Sequence, residues 1–226
     1  MVRMTMANVT KLRVLCLHGY GQNAKVFASK IGAFRKATKS LLDLEFIDAP
    51  NVLPPRCENG IQEGDRCAWW YSMSDDTVTC LELSHKSIVF ERSINAIREA
   101  WISHGPFDGI LGFSQGATMV TFVLFLQALG KIQSNFRFAV MIAGGESRSL
   151  YWDVVCEPSL VTIPTLHIIG ENDSIVPKEV SCGALQHFSS PSVLFHPGGH
   201  YIPGSGPCKL EYRNFFKEQL RQKHHS

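Results

Sequence analysis

The chain has no apolar run of membrane-spanning length, no dense stripe of lysine or arginine, and no C-x-x-C cysteine pair. A transmembrane helix needs about 20 mostly apolar residues, so none is expected. The net charge of +2 is too small to indicate nucleic-acid binding, which requires clustered basic residues. These absences favour a globular protein that neither inserts stably into a membrane nor binds nucleic acid.

The cysteines do not indicate a disulfide framework. There are seven of them, an odd number, and they are scattered along the chain. This usage favours reduced thiols and a cytosolic or nuclear setting over secretion. Cys57, Cys67 and Cys80 share one segment with His85, but their separations are wide and irregular. We therefore expect no metal site and no metal cofactor.

Short apolar runs alternate with amphipathic segments along the whole chain. A length of 226 residues can bury a full core, so one domain over 1–226 is expected, with 1–10 as a mobile leader. One helix is predicted to carry Phe27, Ile31, Phe34 and Leu41. Strands are predicted before Ser114 and at 12–17, 44–47, 138–142, 165–169 and 193–196. The pattern predicts an α/β fold with a mostly parallel central sheet covered by helices on both faces.

Residues 51–80 are predicted to be an irregular insertion that carries three consecutive aromatic residues, Trp69, Trp70 and Tyr71. Two interpretations are open for them. They can pack the insertion onto the core, or at least one of them can line a substrate pocket, because ligand pockets are mostly apolar and aromatic. Trp152, in a second connector at 146–163, is another pocket candidate.

The stretch Gly112-Phe113-Ser114-Gln115-Gly116 has the G-x-S-x-G pattern between an apolar strand and an apolar helix. A sharp strand-to-helix turn exposes the serine hydroxyl, and the glycines allow the strand and the helix to approach closely. The five-residue pattern alone is weak, so its context along the chain has to support it.

That context comes from three predicted strand ends. Ser114, Asp173 and His200 each follow a different strand, in the chain order that α/β-hydrolases use. Ligands bind beyond the carboxyl ends of parallel strands, so the three side chains are expected to meet there. Ser114 would attack an acyl carbonyl, His200 would take its proton, and Asp173 would hold the imidazole in the useful tautomer.

The negative oxygen of the tetrahedral intermediate needs fixed donors. The backbone N–H groups of Tyr20 and Gln115 are the candidates, and the side-chain role of Gln115 stays open. Two rivals also remain: His196 for the base and Glu171 for the acid. His18 is expected to brace its turn.

At these residues the sequence resembles a known family. Its nucleophile block, from Pro106 to Ala117, is similar to that of the fungal small serine hydrolase (FSH) family, which includes the animal ovarian-cancer-associated protein 2 type. The resemblance spans 12 to about 220, and the other matching elements are Leu17-His18-Gly19-Tyr20, Gln22-Asn23, 30–36, Asp48-Ala49-Pro50, Ala68-Trp69-Trp70, Gly170-x-x-Asp173 and Gly198-Gly199-His200.

The resemblance implies an α/β-hydrolase fold and hydrolysis of carboxylic esters, without metal or organic cofactor. We expect the substrate to be a small-molecule ester with an acyl or alkyl chain. Acyl-protein thioesterases share the Gly-Phe-Ser-Gln-Gly element, so cleavage of acyl-thioesters by the same three residues is an alternative. A second alternative is a hydrolase-like fold that only binds. An intact set of Ser114, Asp173 and His200 argues against it, because a pure binder has no need of them.

Overall fold

The computed structural model describes residues 11–54, 57–58, 61–62, 65–74, 77–79, 88–145, 160–204 and 206–224. The predicted leader at 1–10, the pocket candidate Trp152, and Cys80 and His85 lie outside these residues. Within the ranges described, no helix is long and apolar enough to cross a membrane.

Twelve strands and six α-helices make up the described structure. The strands are β1 (Leu12–Leu17), β2 (Leu42–Ile47), β3 (Asn51–Val52), β4 (Cys57–Glu58), β5 (Ile61–Gln62), β6 (Cys67–Ala68), β7 (Ser72–Ser74), β8 (Thr77–Thr79), β9 (Gly109–Phe113), β10 (Phe138–Ile142), β11 (Thr165–Gly170) and β12 (Pro191–His196). The helices are α1 (Ala24–Lys30), α2 (Gly32–Thr38), α3 (Ile88–His104), α4 (Gln115–Ala128), α5 (Lys178–Gly183) and α6 (Pro207–Lys223), with a 3₁₀ turn at Ala184–His187 after α5.

Six strands form one central sheet in the order β12-β11-β10-β9-β1-β2, and every neighbouring pair is parallel. The chain runs from β1 to β2 on one side and then returns to β9 on the other side of β1. The strand order therefore reverses between β1 and β9. In an open parallel sheet, the crevice beyond the carboxyl ends at such a reversal is where ligands bind.

Hydrophobic cores cover both faces of this sheet. Side chains of β1 alternate between them: Leu15 and Leu17 join the core under α3 and α4, whereas Val14 and Cys16 join the core under α1, α2 and α6. Helix α4 is apolar almost all round and its residues from 115 to 125 are buried, as expected for a helix that packs directly on the sheet. The predicted α/β architecture is confirmed.

Two local expectations need correction. The single helix predicted through Phe27 and Leu41 is two helices, because Ile31 leaves the helical region at φ −95° and ψ 24° and Gly32 starts the second. Leu41 lies in the turn after α2, outside both helices. The insertion at 51–80 is not wholly irregular, since β3 pairs with β6, β4 with β5 and β7 with β8 in antiparallel pairs. Strands of two or three residues are too short to show the alternation that identifies a strand in a sequence.

A buried histidine in β11 makes stability depend on pH. Burial lowers the pKa of His167 from 6.5 to about 3. Below pH 6.5 the unfolded chain binds a proton at this ring that the folded chain does not bind, so acid favours unfolding. From pH 7 to pH 5 the wild type is expected to lose about 2 kcal/mol more unfolding free energy than His167→Gln. Urea unfolding at both pH values measures this difference, with exposed His104→Gln as the control. If the wild type and His167→Gln lost the same unfolding free energy from pH 7 to pH 5, the lowered pKa of His167 would be contradicted.

Candidate active site

The turn between β9 and α4 holds Ser114 in an uncommon backbone conformation. Its φ of 54° and ψ of −121° lie in a region that residues other than glycine rarely adopt. Such a residue costs roughly 1–3 kcal/mol, and the surrounding structure has to enforce it. The Ser114 N–H donates to the Ile142 carbonyl at 2.8 Å, which attaches the turn to the end of β10.

Two glycines make this turn sterically possible. A Cβ at Gly112 would overlap the backbone of Gly116, and a Cβ at Gly116 would overlap the carbonyl oxygens of Leu17 and His18. Strand β9, helix α4 and the end of β1 are therefore closer together here than any side chain allows. This is the close approach that the G-x-S-x-G pattern predicts.

Ser114, His200 and Asp173 lie in one hydrogen-bonded row. Ser114 Oγ is 2.9 Å from His200 Nε2, and His200 Nδ1 is 2.8 Å from Asp173 Oδ2. An ionised carboxylate can only accept, so Nδ1 carries the proton and Nε2 accepts from the serine hydroxyl. This is the tautomer that a base acting on Ser114 needs.

The carboxylate of Asp173 is fixed and sheltered from solvent. Its Oδ1 accepts the N–H groups of Ile175 and Val176, each at 2.9 Å, and its side chain is 1% exposed. Oδ2 is thereby aimed at the imidazole. The His200 side chain is 18% exposed, so the ring remains reachable from solvent.

Neither rival side chain occupies this row. His196 is buried, its Nδ1 accepts the Gly198 N–H at 3.2 Å, and burial lowers its pKa. Glu171 is exposed, and its carboxylate lies 3.7 Å from the Lys178 ammonium. The structure therefore brings Asp173 to His200, and leaves Glu171 on the surface.

His18 braces the turn after β1. Its Nε2 accepts the Ala49 N–H at 2.9 Å, so Nδ1 carries the proton and donates to the Gly19 carbonyl at 2.8 Å. Burial lowers the pKa of His18 and keeps the ring neutral, as this bonding requires. The turn lies against the serine, since a Cβ at Gly19 would be 3.3 Å from Ser114 Cβ.

The two candidate oxyanion donors belong to two different elements. Tyr20 is in the turn after β1, and Gln115 is the first residue of α4, where backbone N–H groups have no partner within the helix. The Gln115 side chain has a definite role that sequence reasoning left open. Its Oε1 accepts the Trp69 N–H at 2.9 Å, and its Nε2 donates to the Trp70 carbonyl at 2.6 Å.

The tryptophans predicted as pocket candidates lie in the core. Trp69 is 0% exposed and Trp70 is 4% exposed, and Trp70 packs against Phe90 and Phe122 on the α3 and α4 side of the sheet. Packing of the insertion onto the core is the interpretation that matches these positions. Tyr71 is partly buried. The structure assigns neither tryptophan to the wall of the pocket beside His200.

That pocket opens on the opposite side of the sheet and has a volume of about 300 Å³. Its apolar wall consists of Phe27, Ile31, Phe113 and Ile202, and the rest of its lining is Gln22, Lys30, His200 and Tyr201. Sequence reasoning missed this wall. Phe27 and Ile31 carry the same helical periodicity as core residues, so no signal in the sequence separates a pocket wall from a core.

The described ranges contain no group of three or more His, Cys, Asp or Glu side chains that could hold a metal ion. What the row offers is a hydroxyl, a base that can take its proton, and a buried carboxylate behind the base. Such a row can transfer an acyl group from an ester to Ser114 and then to water.

Solved structures with the same fold are α/β-hydrolases. SOBER1 from Arabidopsis thaliana superposes with a TM-score of 0.65 at 19% identity, over 93% of this chain and 100% of that one. Acyl-protein thioesterase 2 from Zea mays gives 0.58 at 18% identity, over 93% and 94%. The protein therefore has the α/β-hydrolase fold.

Sequence relatives define the family. A family model described as Serine hydrolase (FSH1) matches residues 4–211. Esterase OVCA2 from Danio rerio is 37% identical over an alignment of 220 residues, and the match covers 91% of this chain and 96% of the relative. Esterase GA18864 from Drosophila pseudoobscura pseudoobscura is 38% identical over 213 residues, covering 94% and 73%. The chain belongs to the FSH1 serine hydrolase family, which confirms the resemblance seen in its motifs.

Proposed function

We propose that this protein is a serine carboxylesterase that cleaves small carboxylic esters through an acyl-enzyme on Ser114. The observation that supports this most is the row Ser114 Oγ, His200 Nε2 and Nδ1, Asp173 Oδ2, with separations of 2.9 and 2.8 Å. The family relationship makes the protein a hydrolase, and the ester as substrate is our proposal.

Acylation begins when Ser114 Oγ attacks the ester carbonyl while its proton moves to His200 Nε2. The oxygen of the tetrahedral intermediate becomes negative and is stabilised by the N–H groups of Tyr20 and Gln115. The C–O bond to the alcohol then breaks, and His200 gives its proton to the departing oxygen. Asp173 stabilises the imidazolium between these two transfers.

Deacylation repeats the same steps with water as the nucleophile. His200 takes a proton from water, the hydroxide oxygen attacks the acyl carbon, and the bond to Ser114 Oγ breaks. The proton returns from His200 to Oγ, and the carboxylic acid leaves. No metal or organic cofactor takes part in this scheme.

The apolar part of the pocket next to His200, formed by Phe27, Ile31, Phe113 and Ile202, suits a hydrocarbon acyl or alkyl chain. Burial of each methylene contributes about 0.8 kcal/mol, which corresponds to roughly a fourfold gain in kcat/KM for each carbon that enters the pocket. The pocket volume of about 300 Å³ limits how far this gain continues. We therefore expect a chain-length optimum with a decline beyond it.

A matched panel of oxygen esters and thioesters of rising chain length tests the substrate class. Oxygen esters are expected to give the higher kcat/KM at each chain length, with an optimum along the series. A consistent advantage of at least about tenfold for thioesters would replace the ester proposal by the thioesterase alternative. Activity independent of chain length would contradict the assignment of the pocket.

We also propose a cytosolic or nuclear location. Cys16, Cys67, Cys182 and Cys208 are free, which suits a reducing compartment. The expected partner is the small-molecule ester itself, with neither nucleic acid nor an inserted membrane segment involved.

A further inference from the structure

The two proposed oxyanion donors are far apart in the sequence and belong to different elements. Tyr20 lies in the turn 18–22 after β1, whereas Gln115 begins α4. Stabilisation of the oxyanion requires both N–H groups at fixed positions before the reaction, because donors that must reorient contribute less. A third element that contacts both would fix their separation.

Residues 67–70 of the insertion, called the strap below, contact the turn by three hydrogen bonds. The Gly21 N–H donates to the Cys67 carbonyl at 2.9 Å, and the Cys67 N–H donates to the Gln22 carbonyl at 2.9 Å. The indole Nε1–H of Trp69 donates to the His18 carbonyl at 2.8 Å. The strap therefore binds the turn both before Tyr20, at His18, and after it, at Gly21 and Gln22.

The same strap contacts α4 through the Gln115 side chain. The Trp69 N–H donates to Gln115 Oε1, and Gln115 Nε2 donates to the Trp70 carbonyl, at 2.9 and 2.6 Å. Gln115 is 6% exposed and Trp69 is 0% exposed, so water does not compete for these groups. A buried polar group that loses its partner costs about 1–3 kcal/mol, so the contact is strongly maintained.

The peptide plane that carries the Tyr20 N–H is also fixed. Its carbonyl belongs to Gly19 and accepts from His18 Nδ1 at 2.8 Å and from the Gln22 N–H at 3.2 Å. In a planar trans peptide the N–H points opposite to the carbonyl. The turn therefore directs the Tyr20 N–H away from His18, in an orientation that the strap holds from both sides.

We propose that the strap is the positioning element of the oxyanion site, and that Trp69 in the strap and Gln115, which binds the strap from α4, are the positioning residues. Trp69 connects the two donors, since its indole bonds to the turn and its backbone N–H bonds to the Gln115 side chain. This inference rests on the proposed function, because it assigns the donors of that same site. Trp69 and Trp70 would then influence the rate of ester hydrolysis without contacting the substrate.

Trp69→Phe tests the proposal, because it keeps an aromatic ring and removes only the indole N–H and part of the ring volume. A displacement of 1 Å near a reacting centre can cost 10²-fold, so partial loss of support is expected to lower kcat roughly 10-fold. KM should change little, since the ester does not contact the strap. The control is Trp101→Phe, which removes an indole that packs against Phe107 and Phe136.

A trifluoromethyl ketone separates positioning from simple loss of folded enzyme. Ser114 Oγ adds to its carbonyl, and the resulting anionic oxygen needs both donors. For Trp69→Phe we expect the inhibition constant to rise by about the same factor as kcat falls. Fluorophosphonate titration should still label one site per chain, which shows that the active fraction is unchanged.

Gln115→Met provides a second test from the α4 side of the contact with the strap, with the same expected coupling of kcat to the inhibition constant. The proposal is overturned if both variants keep wild-type kcat, or if kcat falls while the inhibition constant stays constant. It is also overturned if kcat falls only in proportion to the labelled fraction. Absence of labelling and turnover in the wild type would instead reject the proposed function itself.

Discussion

Ser114→Ala is expected to lower kcat by about 10⁵–10⁶-fold, because no other group takes the role of the attacking oxygen. The remaining rate would come from binding and oxyanion stabilisation acting on water. Steady-state turnover of the best ester in the panel measures the loss. KM should remain within a few-fold of the wild type, since the pocket wall is intact.

Thr121→Ala is the matched control for this variant. Thr121 carries a buried hydroxyl on α4, the helix that follows Ser114, and it donates to the Ala117 carbonyl at 3.3 Å. Its loss should leave kcat close to the wild-type value. If Ser114→Ala retained more than about a hundredth of the activity in a folded protein, Ser114 would not be the nucleophile.

Asp173→Asn is expected to lower kcat by about 10⁴-fold while the protein stays folded. The asparagine oxygen can still accept the N–H groups of Ile175 and Val176, so the local backbone is kept. Its amide NH₂, however, donates to His200 Nδ1. The ring proton then moves to Nε2, which can no longer accept from the Ser114 hydroxyl.

Glu171→Gln distinguishes the two carboxylates that the sequence offered for this role. Glu171 is exposed and lies near Lys178, so its loss is expected to leave kcat unchanged. The kinetics of both variants, with circular dichroism to verify folding, decide between them. A large loss in Glu171→Gln together with wild-type turnover in Asp173→Asn would reverse the assignment.

The position of the site could be predicted because parallel strands bring distant residues to one edge of a sheet. Ser114, Asp173 and His200 each follow a strand whose apolar run is readable in the sequence, and all three strands end on the same side. Hydrogen-bond reach among them is a tertiary property that the sequence does not contain. Strands β10 and β11 separate β12 from β9, so the loop after β12 has to bring His200 across to Ser114. The assignment of chemical roles to these residues stays a prediction until it is measured.

Other features depend on tertiary context that local patterns do not contain. Phe27 and Ile31 have the helical spacing of core residues, and only the fold shows that they also line a pocket. Trp69 and Trp70 were open to both interpretations, since an aromatic run suits a pocket and a core equally well. The side-chain bonds of Gln115 join residues more than forty positions apart, which no short motif specifies.

The most direct measurement is peptide mapping by mass spectrometry after reaction with a fluorophosphonate probe. The Ser114 oxygen should displace fluoride from phosphorus, so one adduct per chain is expected on the peptide that contains Ser114. Ser114→Ala should acquire no adduct under the same conditions. An adduct on any other residue, or equal labelling of both proteins, would contradict the account.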